Sequence, residues 1–347
     1  KKVDVIALGG SVGTNGVLEG EVIGVSGIDE LEKIGRAKIE GKIVFVNKPF
    51  DQTQISTFKA YGACSNQRWG GAKEASKYGA KAVVIRSLAQ SNDDHPHTGS
   101  MDYKMENKIP AAALSTNAAN TLLDWLKEGK VTLKLEMDCR FYKDEVSYNV
   151  IAETYGKDDQ VITFGGHLDS WDVGEGAHDD GAGIIHSIEA LRILKQLNYR
   201  PKHKLRCVLF MNEENGNFGG KAYAKWCSDN KEKHICALES DRGGFQPLGY
   251  DVVGTDEQLK FVQSFKPLLE DYRLYNFEKG YGGVDIGPLM NYYPDILQLG
   301  LNPVSQRYFD FHHAETDVFE NVNKRELELG GASLATMVYL MDKYLIP

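Results

Sequence analysis

The sequence predicts an α/β protein in which a mostly parallel, doubly wound sheet follows a smaller, β-rich α/β part. Two observations support this prediction. After about residue 146, strand-like apolar runs alternate with runs of helical spacing, as they do in βαβ units. Before the polar segment Asp138 to Ser147, the strand-like runs are short and the helical runs are few. We therefore expect two domains, at residues 1–145 and 146–347.

The composition is that of a folded globular protein and excludes some functional classes. The 347 residues suffice for two packed cores, with 42% hydrophobic and 26% charged residues. The net charge of −9 argues against a nucleic-acid partner, because no basic stripe is available to bind phosphates. Nor does the chain contain an apolar run of about 18 residues, so we expect no membrane span.

The cysteines and the first residues leave the compartment open. The five cysteines lack Cys-x-x-Cys spacing, so they form no zinc ribbon, and the sequence does not determine their disulfide state. The chain begins with Lys1-Lys2 and enters a strand-like run almost at once. We expect a segment to precede it, and a removed leader would be compatible with export.

In the first part, short strands alternate with small helices. The predicted strands are at 3–8, 21–25, 42–46, 82–85, 109–114 and 131–135, and the predicted helices at 28–37, 72–78 and 116–127. The glycine-rich turn 9–13 lacks the Lys-Ser/Thr of a phosphate loop. The polar stretch 91–99 contains His95-Pro96-His97, which could bind a metal but is more simply a loop.

In the second part, strands and helices alternate regularly. The predicted strands are at 148–153, 161–165, 205–211, 235–239 and 295–299, and the helices at 180–197, 218–228, 256–270, 284–291 and 324–345. The strand at 161–165 leads into Gly166-His167-Leu168-Asp169, and Asp179-Asp180-Gly181 precedes the next helix. Imidazole and carboxylate together suit zinc or a similar divalent metal, although Asp is also common in turns and helix caps.

Three further groups of polar residues follow predicted strands. They are Glu213-Glu214, Ser240-Asp241 and His312-His313, the last with Asp317 four residues beyond His313. Each alone could be a solvated pair, a turn or an exposed loop. Because ligands bind at the carboxyl ends of the strands in open sheets, we expect all of these groups to converge on one crevice.

The order of these motifs resembles the two-zinc exopeptidases of the aminopeptidase and glutamate-carboxypeptidase family. The strings 166–174, 239–241 and 312–313 look most like its carboxypeptidase Q branch. That branch also has a protease-associated domain, which the segments 41–46, 80–85 and 109–111 resemble in order and spacing. We therefore expect such a domain at about 21–137, before a zinc peptidase domain at 146–347.

The resemblance implies two zinc ions per chain. It places His167 and Asp241 on one ion and Glu214 and His313 on the other, with Asp179 bridging both. A bridging carboxylate holds two cations close together, and neutral imidazoles leave enough positive charge to acidify a bridging water.

The resemblance also implies catalytic roles. Glu213 would be the general base toward the metal-bridging water, and Asp169 would orient the ring of His167. Asp180 would be structural, following a cis peptide bond that family members often have. We expect His312 to polarise the scissile carbonyl, at the place where other branches have a Tyr.

Substrate contacts are predicted at two positions. Asp285 follows Gly282-Gly283-Val284 and resembles a position near the substrate, where it would meet a free amino group. Arg242 has two open roles, contact with a substrate carboxylate or pairing with a surface Glu. The loop His97-Thr98-Gly99 resembles one in the same branch, which makes it an expected neighbour of the active site.

The function implied is hydrolysis of a peptide bond at a terminus of short peptides, by a dipeptidase, carboxypeptidase or aminopeptidase. One alternative is a glutaminyl cyclase-like acyl transfer with a single zinc ion, which would need neither His167 nor Asp241. The other is a receptor-like ectodomain without activity, in which metal ligands would be lost. The resemblance further implies an exported protein (periplasmic, cell-surface or secreted) and is compatible with a homodimer.

Overall fold

The computed structural model describes residues 1–102, 104 and 106–345, which form two compact units. The first unit comprises Lys1–Glu145 and Phe309–Thr316, and the second comprises Val146–Tyr308 and the residues from Asp317 on. The segment 309–316 lies in the second part of the sequence but packs with the first unit. The reason is aromatic packing, because the Phe309 ring contacts the rings of Phe50, Phe58 and Tyr61.

The first unit contains a six-stranded sheet. Its strands are β1 (Val5–Ala7), β2 (Leu18–Val25), β3 (Ile43–Val46), β4 (Ala82–Arg86), β5 (Ala111–Leu114) and β6 (Thr132–Leu135). The order is β1-β5-β4-β3-β2-β6, with parallel pairing among β2 to β5 and an antiparallel strand at each edge. The central strands β3, β4 and β5 are buried over their whole lengths, as expected of parallel strands covered on both faces.

Six helices accompany this sheet. They are α1 (Glu30–Ile34), α2 (Arg36–Ile39), α3 (Thr57–Cys64), α4 (Asn66–Trp69), α5 (Gly71–Lys77) and α6 (Thr116–Glu128). The predicted helix at 28–37 is interrupted at Gly35, whose φ of 77° belongs to the left-handed region. Helices α3 and α4 were not predicted, because their small and polar residues show little apolar periodicity.

The second unit contains a seven-stranded sheet. Its strands are β7 (Val150–Thr154), β8 (Gln160–His167), β9 (Lys204–Phe210), β10 (Lys233–Glu239), β11 (Pro247–Val253), β12 (Asn276–Lys279) and β13 (Leu297–Pro303). The order is β12-β11-β13-β10-β8-β9-β7, and only the pairs β7–β9 and β11–β13 are antiparallel. This confirms the predicted α/β class with a mostly parallel sheet.

Helices cover both faces of this second sheet. They are α7 (Ala182–Gln196), α8 (Phe218–Asp229), α9 (Asp256–Gln263), α10 (Lys266–Leu269) and α12 (Lys324–Tyr344), whereas all but the first residue of α11 (Tyr308–Phe311) belongs to the first unit. Residues of α7, α9 and α12 share an apolar cluster with Phe164 and Leu238, whereas α8 packs with Phe210 and Ala237. The predicted helix at 284–291 is a 3₁₀ turn at Gly287–Asn291.

The parallel strands β8, β9 and β10 end at the same edge of the sheet. His167 is level with Phe210, and Glu239 is level with Gly165. The residues that follow these strands therefore meet at this edge, as the rule for open sheets predicts. In the described part of the chain, no helix is long and apolar enough to cross a membrane. All five cysteines are free thiols.

Candidate metal centre and active site

His167 is the centre of a group of carboxylates at the end of β8. Its Nε2 lies 3.2 Å from Oδ1 of Asp179 and 3.4 Å from Oδ1 of Asp241. The ring is buried, and Nε2 makes no hydrogen bond of good geometry to any residue that the structure describes. Nε2 and both carboxylates therefore face one small space, as ligands of a shared cation do.

The electrostatics of this group fit a divalent cation. Burial lowers the pKa of His167, but Asp241 and Asp179 outweigh burial and hold that pKa well above its usual value. Burial also raises the pKa of Asp241, and the neighbouring charges of Asp179 and Glu214 raise it further. Ligand atoms of His167, Asp179 and Glu214 lie within 4.8 Å of one another, as do those of His167, Asp180 and Asp241. Several buried carboxylates around one imidazole require positive charge, which zinc would supply.

Asp179 is held in place by Asp317. The N–H groups of His178 and Asp179 donate to the two carboxylate oxygens of Asp317, at 2.7 and 3.1 Å. The peptide bond between Asp179 and Asp180 is cis, as the family resemblance implies. Asp180 accepts hydrogen bonds from the N–H groups of His167 and Gly183, both at 3.0 Å. These contacts engage both oxygens of Asp180 with backbone, which fits a structural residue.

Asp169 acts through atoms that differ from those expected. Nδ1 of His167 lies 2.7 Å from the carbonyl oxygen of Asp169, whereas the Asp169 carboxylate is 3.8 Å away. A carbonyl oxygen only accepts, so Nδ1 carries a proton, and in the neutral ring Nε2 is the nitrogen whose lone pair can bind a metal. The carbonyl, rather than the predicted carboxylate, fixes this tautomer.

The Asp169 carboxylate instead holds the turn that contains Glu213 and Glu214. Its two oxygens accept hydrogen bonds from the N–H groups of these residues, at 3.0 and 3.2 Å. Nε1 of Trp171 donates to Oε2 of Glu214 at 2.6 Å. The backbone of both glutamates and the carboxylate of Glu214 are thus held in place by the protein itself.

Glu213 has the electrostatic environment of an acid–base residue. Burial raises its pKa well above the usual value, and the charges of Asp241 and Glu214 raise it further. A carboxyl group with a raised pKa can accept a proton and release it near neutral pH.

Of the two predicted substrate residues, Asp285 lies in the loop that follows β12, and Arg242, which follows β10, contacts that loop through Tyr281. Three successive N–H groups, of residues 284–286, donate to the carboxylate of Glu239 at 2.8 to 3.0 Å. Asp285 is fully buried, and neither carboxylate oxygen makes a hydrogen bond to a described residue. Arg242 donates to Oδ2 of Asp251 at 2.7 Å and to the carbonyl of Tyr281 at 2.9 Å. Arg242 therefore pairs with Asp251, and its contact with a substrate carboxylate stays a prediction.

His312 and His313 belong to the segment that packs with the first unit. Their rings are stacked with centroids 3.6 Å apart, and His313 has a φ of 62°. Both backbone carbonyls accept hydrogen bonds from the loop 97–99, which was predicted to neighbour the active site. Nδ1 of His97 lies 2.6 Å from the carbonyl oxygen of His312, and the N–H of Thr98 donates to the carbonyl oxygen of His313 at 3.0 Å. Within the first unit, this loop therefore lies directly beside both histidines.

Several residues of the site were not assigned roles from the sequence. Asp317 was noted only for its spacing from His313, and Trp171 only as part of a motif string. Their proximity to metal-binding motifs was the one available signal. Glu239 was likewise noted only as part of the string 239–241.

The sequence matches the model of a known family. Residues 149–338 match peptidase family M28. The chain is 34% identical to carboxypeptidase Q of Bos taurus over 351 residues, which are 98% of this chain and 71% of that protein. It is 33% identical to carboxypeptidase Q of Mus musculus, with the same shares covered.

Solved structures show the same fold. The crystal structure of a peptidase M28 precursor from Shewanella amazonensis superimposes with a TM-score of 0.93 at 31% identity, covering 100% of this chain and 79% of that one. A zinc aminopeptidase from Bacillus subtilis shares the fold, with a TM-score of 0.67 at 20% identity, covering 99% of this chain and 80% of that one. On the family match and the carboxypeptidase Q identity together, this chain belongs to peptidase family M28 and is a metallo-exopeptidase.

Proposed function

We propose that this enzyme hydrolyses the peptide bond at a terminus of short peptides and depends on zinc. The observation that best supports the proposal is the convergence of Asp179 and Asp241 on Nε2 of His167, at 3.2 and 3.4 Å. The names of the relatives, carboxypeptidase Q and zinc aminopeptidase, support the same class of reaction.

The proposed ligands form two sets. His167 and Asp241 would hold one zinc ion, Glu214 and His313 the other, and Asp179 would bridge them. When bound, the ions would polarise the scissile carbonyl and bring the pKa of a coordinated water toward about 7. The orientation of His167 supports this assignment, because Nδ1 is engaged by a carbonyl and Nε2, the nitrogen that would bind the ion, faces the carboxylates.

Glu213 is the proposed general base. Its carboxylate would take a proton from the attacking water and pass it to the leaving amine, a transfer favoured by its raised pKa. His312 would polarise the scissile carbonyl. If His312→Gln kept the full kcat with zinc bound, that role would be wrong.

The two substrate contacts remain proposals. Asp285 would meet a free amino group, and its buried carboxylate oxygens, which make no hydrogen bond to a described residue, are compatible with a cationic partner. An Asp285→Asn variant with unchanged preference for free amino termini would exclude this role. For Arg242 a substrate carboxylate would have to compete with Asp251, which already binds the guanidinium.

The test is a panel of dipeptides that are free, N-acetylated or C-amidated, assayed with added zinc. Loss of cleavage on N-acetylation alone indicates an aminopeptidase, loss on C-amidation alone a carboxypeptidase, and loss on both a dipeptidase. Glu213→Gln should lower kcat by roughly 100- to 10,000-fold while zinc content stays constant. The exposed Glu278→Gln is the matched control. Equal rates for Glu213→Gln and wild type would exclude the general-base role.

Metal content tests the alternatives at the same time. Two zinc ions per chain support the peptidase, one supports a cyclase-like reaction, and none supports a receptor-like protein. Export, a homodimer and the protease-associated domain at about 21–137 also remain proposals, which rest on the family resemblance.

A further inference from the structure

The turn that carries the two glutamates of the site ends in an Asn-Gly pair. Asn215 and Gly216 follow Glu214 directly, and both are exposed, whereas Glu214 is buried. The chain contains one other Asn-Gly pair, Asn15 and Gly16. An asparagine followed by glycine is open to attack by its own main chain, because glycine has no Cβ to shield the amide nitrogen.

The amide nitrogen of Gly216 is the nucleophile of this pair, and the protein engages it only weakly. Its N–H donates to the carbonyl oxygen of Glu213 at 3.4 Å, beyond the range of about 2.7 to 3.2 Å for ordinary N–H···O bonds. The next N–H, that of Asn217, donates to the carbonyl oxygen of Asn212 at 2.7 Å. The backbone also favours glycine here, because Gly216 has a φ of 139° and a Cβ would lie 3.1 Å from the ring of Phe218.

Asparagine is a thermolabile residue, and deamidation of such a pair proceeds through a ring. The Gly216 nitrogen loses its proton to solvent and attacks Cγ of Asn215. A new C–N bond forms, and the bond to the side-chain NH₂ breaks, which releases ammonia. Water then opens the succinimide ring at Cγ to give aspartate, or at the main-chain carbonyl carbon to give isoaspartate. The reaction consumes one water, releases one ammonia and involves no oxidation or reduction.

Isoaspartate lengthens a turn that is closed at both ends. The main chain then runs through Cβ and Cγ of residue 215, which adds one C–C bond of about 1.5 Å. A hydrogen bond of 2.7 Å joins the first and last residues of the turn, and Asp169 holds the N–H groups of both glutamates. The added length must therefore displace Glu213 or Glu214.

The other Asn-Gly pair lies in a turn with open space around it. Asn15 is exposed, and a Cβ on Gly16 would have nothing within 4 Å. The N–H of Thr14 donates to the carbonyl oxygen of Met137 at 2.9 Å, and Oγ1 of Thr14 donates to the carbonyl oxygen of Gly16 at 2.6 Å. None of these four residues is a proposed ligand or catalytic residue. Deamidation at Asn15 is therefore an internal control with the same chemistry.

We propose that Asn215 is a site of spontaneous deamidation, at which conversion to isoaspartate inactivates the enzyme. The chemistry needs only water and the turn itself. The loss of activity rests on the proposed function, because it assumes that Glu213 is the general base and Glu214 a zinc ligand. The turn that carries both glutamates thereby limits the working lifetime of the protein.

The test ages the zinc-loaded protein in mildly alkaline buffer, which promotes loss of the amide proton. Peptide mass spectrometry would quantify isoaspartate at each Asn-Gly pair, while kcat on a free dipeptide is followed in parallel. Wild type should lose activity in proportion to isoaspartate at residue 215. The modified form should have a kcat about 100-fold lower, which is the cost of misplacing a catalytic group by about 1 Å.

Two glutamine variants assign the loss to one position. Asn215→Gln should start at the wild-type rate and stay active, because the longer side chain would have to close a larger ring, which forms more slowly. Asn15→Gln is the matched control and should inactivate as wild type does. The proposal is wrong if residue 215 stays asparagine during ageing, or if Asn215→Gln inactivates as fast as wild type.

Zinc affinity separates this proposal from the proposed function, because competition with a chelator needs no substrate. The purified form with isoaspartate at residue 215 should bind zinc about 10-fold more weakly, through the displaced Glu214. Asn215→Asp has the new charge without the added C–C bond and should keep the wild-type affinity. This outcome would support the proposal even if no dipeptide were hydrolysed, in which case only the proposed function would fail. Isoaspartate at residue 215 that changed neither zinc affinity nor kcat would overturn the proposal.

Discussion

Three aspartates of the site contact backbone N–H groups and thereby set the positions of its functional side chains. Asp169 holds the Glu213–Glu214 turn, Asp180 holds the backbone of His167, and Asp317 holds that of Asp179. Each carboxylate engages two N–H groups, which a side chain with a single acceptor oxygen cannot do with the same geometry.

Asp169→Asn should therefore impair catalysis without removing a proposed ligand. The asparagine NH₂ would face one of the two N–H groups, and this donor–donor contact would displace the turn. We expect kcat to fall by about 10- to 100-fold, and zinc affinity to weaken through Glu214. Steady-state kinetics and competition with a chelator would measure both. The control is Asp172→Asn, because Asp172 lies two residues beyond the His167–Ser170 region. If Asp169→Asn kept the wild-type kcat and zinc affinity, the Asp169 carboxylate would not be needed to hold the Glu213–Glu214 turn.

The sequence predicts the residues of the site best where they directly follow a strand. His167, Glu213 and Asp241 were predicted to converge because parallel strands end at one edge, and the structure brings them together in the second unit. The roles of backbone atoms could not be predicted. The carbonyl of Asp169, which sets the His167 tautomer, is invisible in a pattern of side chains.

At the scale of elements, the N-terminus of α7 packs against the end of β10. A Cβ on Gly183 would lie 1.8 Å from the carbonyl oxygen of Ser240 and 2.4 Å from Oδ1 of Asp180. Any side chain at position 183 must therefore separate α7 from the strand end that carries Asp241.

Gly183→Ala should accordingly destabilise the second unit and weaken metal binding together. We expect a loss of about 3 kcal/mol in the free energy of unfolding, at the upper end of what overpacking costs. Gly62→Ala on α3 is the control, since a Cβ there has nothing within 4 Å and the helix should gain roughly 0.5 to 1 kcal/mol. Urea unfolding and zinc titration of both variants would check this. A Gly183→Ala protein as stable as wild type would show that the helix can shift freely.

Elements with a continuous apolar run were predicted, and those without one were not. Strands β8, β9 and β10 were found from the sequence because they are buried on both faces. Strand β11 was missed because Pro247, Gly249 and Asp251 interrupt its apolar pattern, and in β12 only Phe277 is buried. The packing of 309–316 with the first unit depends on contacts between distant rings, which local patterns do not record.

At the scale of the whole molecule, buried neutral histidines make stability depend on pH. Burial lowers the pKa of His186 to about 4 and that of His234 to about 3. In the unfolded chain both would titrate near 6.5, so the unfolded state binds more protons below that pH. Stability is therefore retained above pH 6.5 and is lost as the pH falls toward 4.

The zinc-free protein should lose up to about 1.4 kcal/mol per pH unit for each of these histidines between pH 6 and 4.5. Urea unfolding at a series of pH values in chelator would measure the slope. His234→Gln should reduce that slope by close to one proton. An identical slope in His234→Gln would mean that His234 is already charged in the folded protein.

Metal removal should act on the unit that holds most of the proposed ligands. His167, Asp179, Glu214 and Asp241 all belong to the second unit, which has its own apolar core. A ligand that binds only the folded state at 1,000 times its Kd stabilises it by about 4 kcal/mol, so chelation should lower the unfolding temperature of this unit by several degrees. Calorimetry with and without a chelator would show the shift.

Glu213→Gln should retain this shift in unfolding temperature, because the proposed base binds no metal, whereas Asp241→Asn should lose most of the shift. If chelation shifted the unfolding of Asp241→Asn as much as that of wild type, Asp241 would not be a ligand, and the buried carboxylates around His167 would need another source of positive charge.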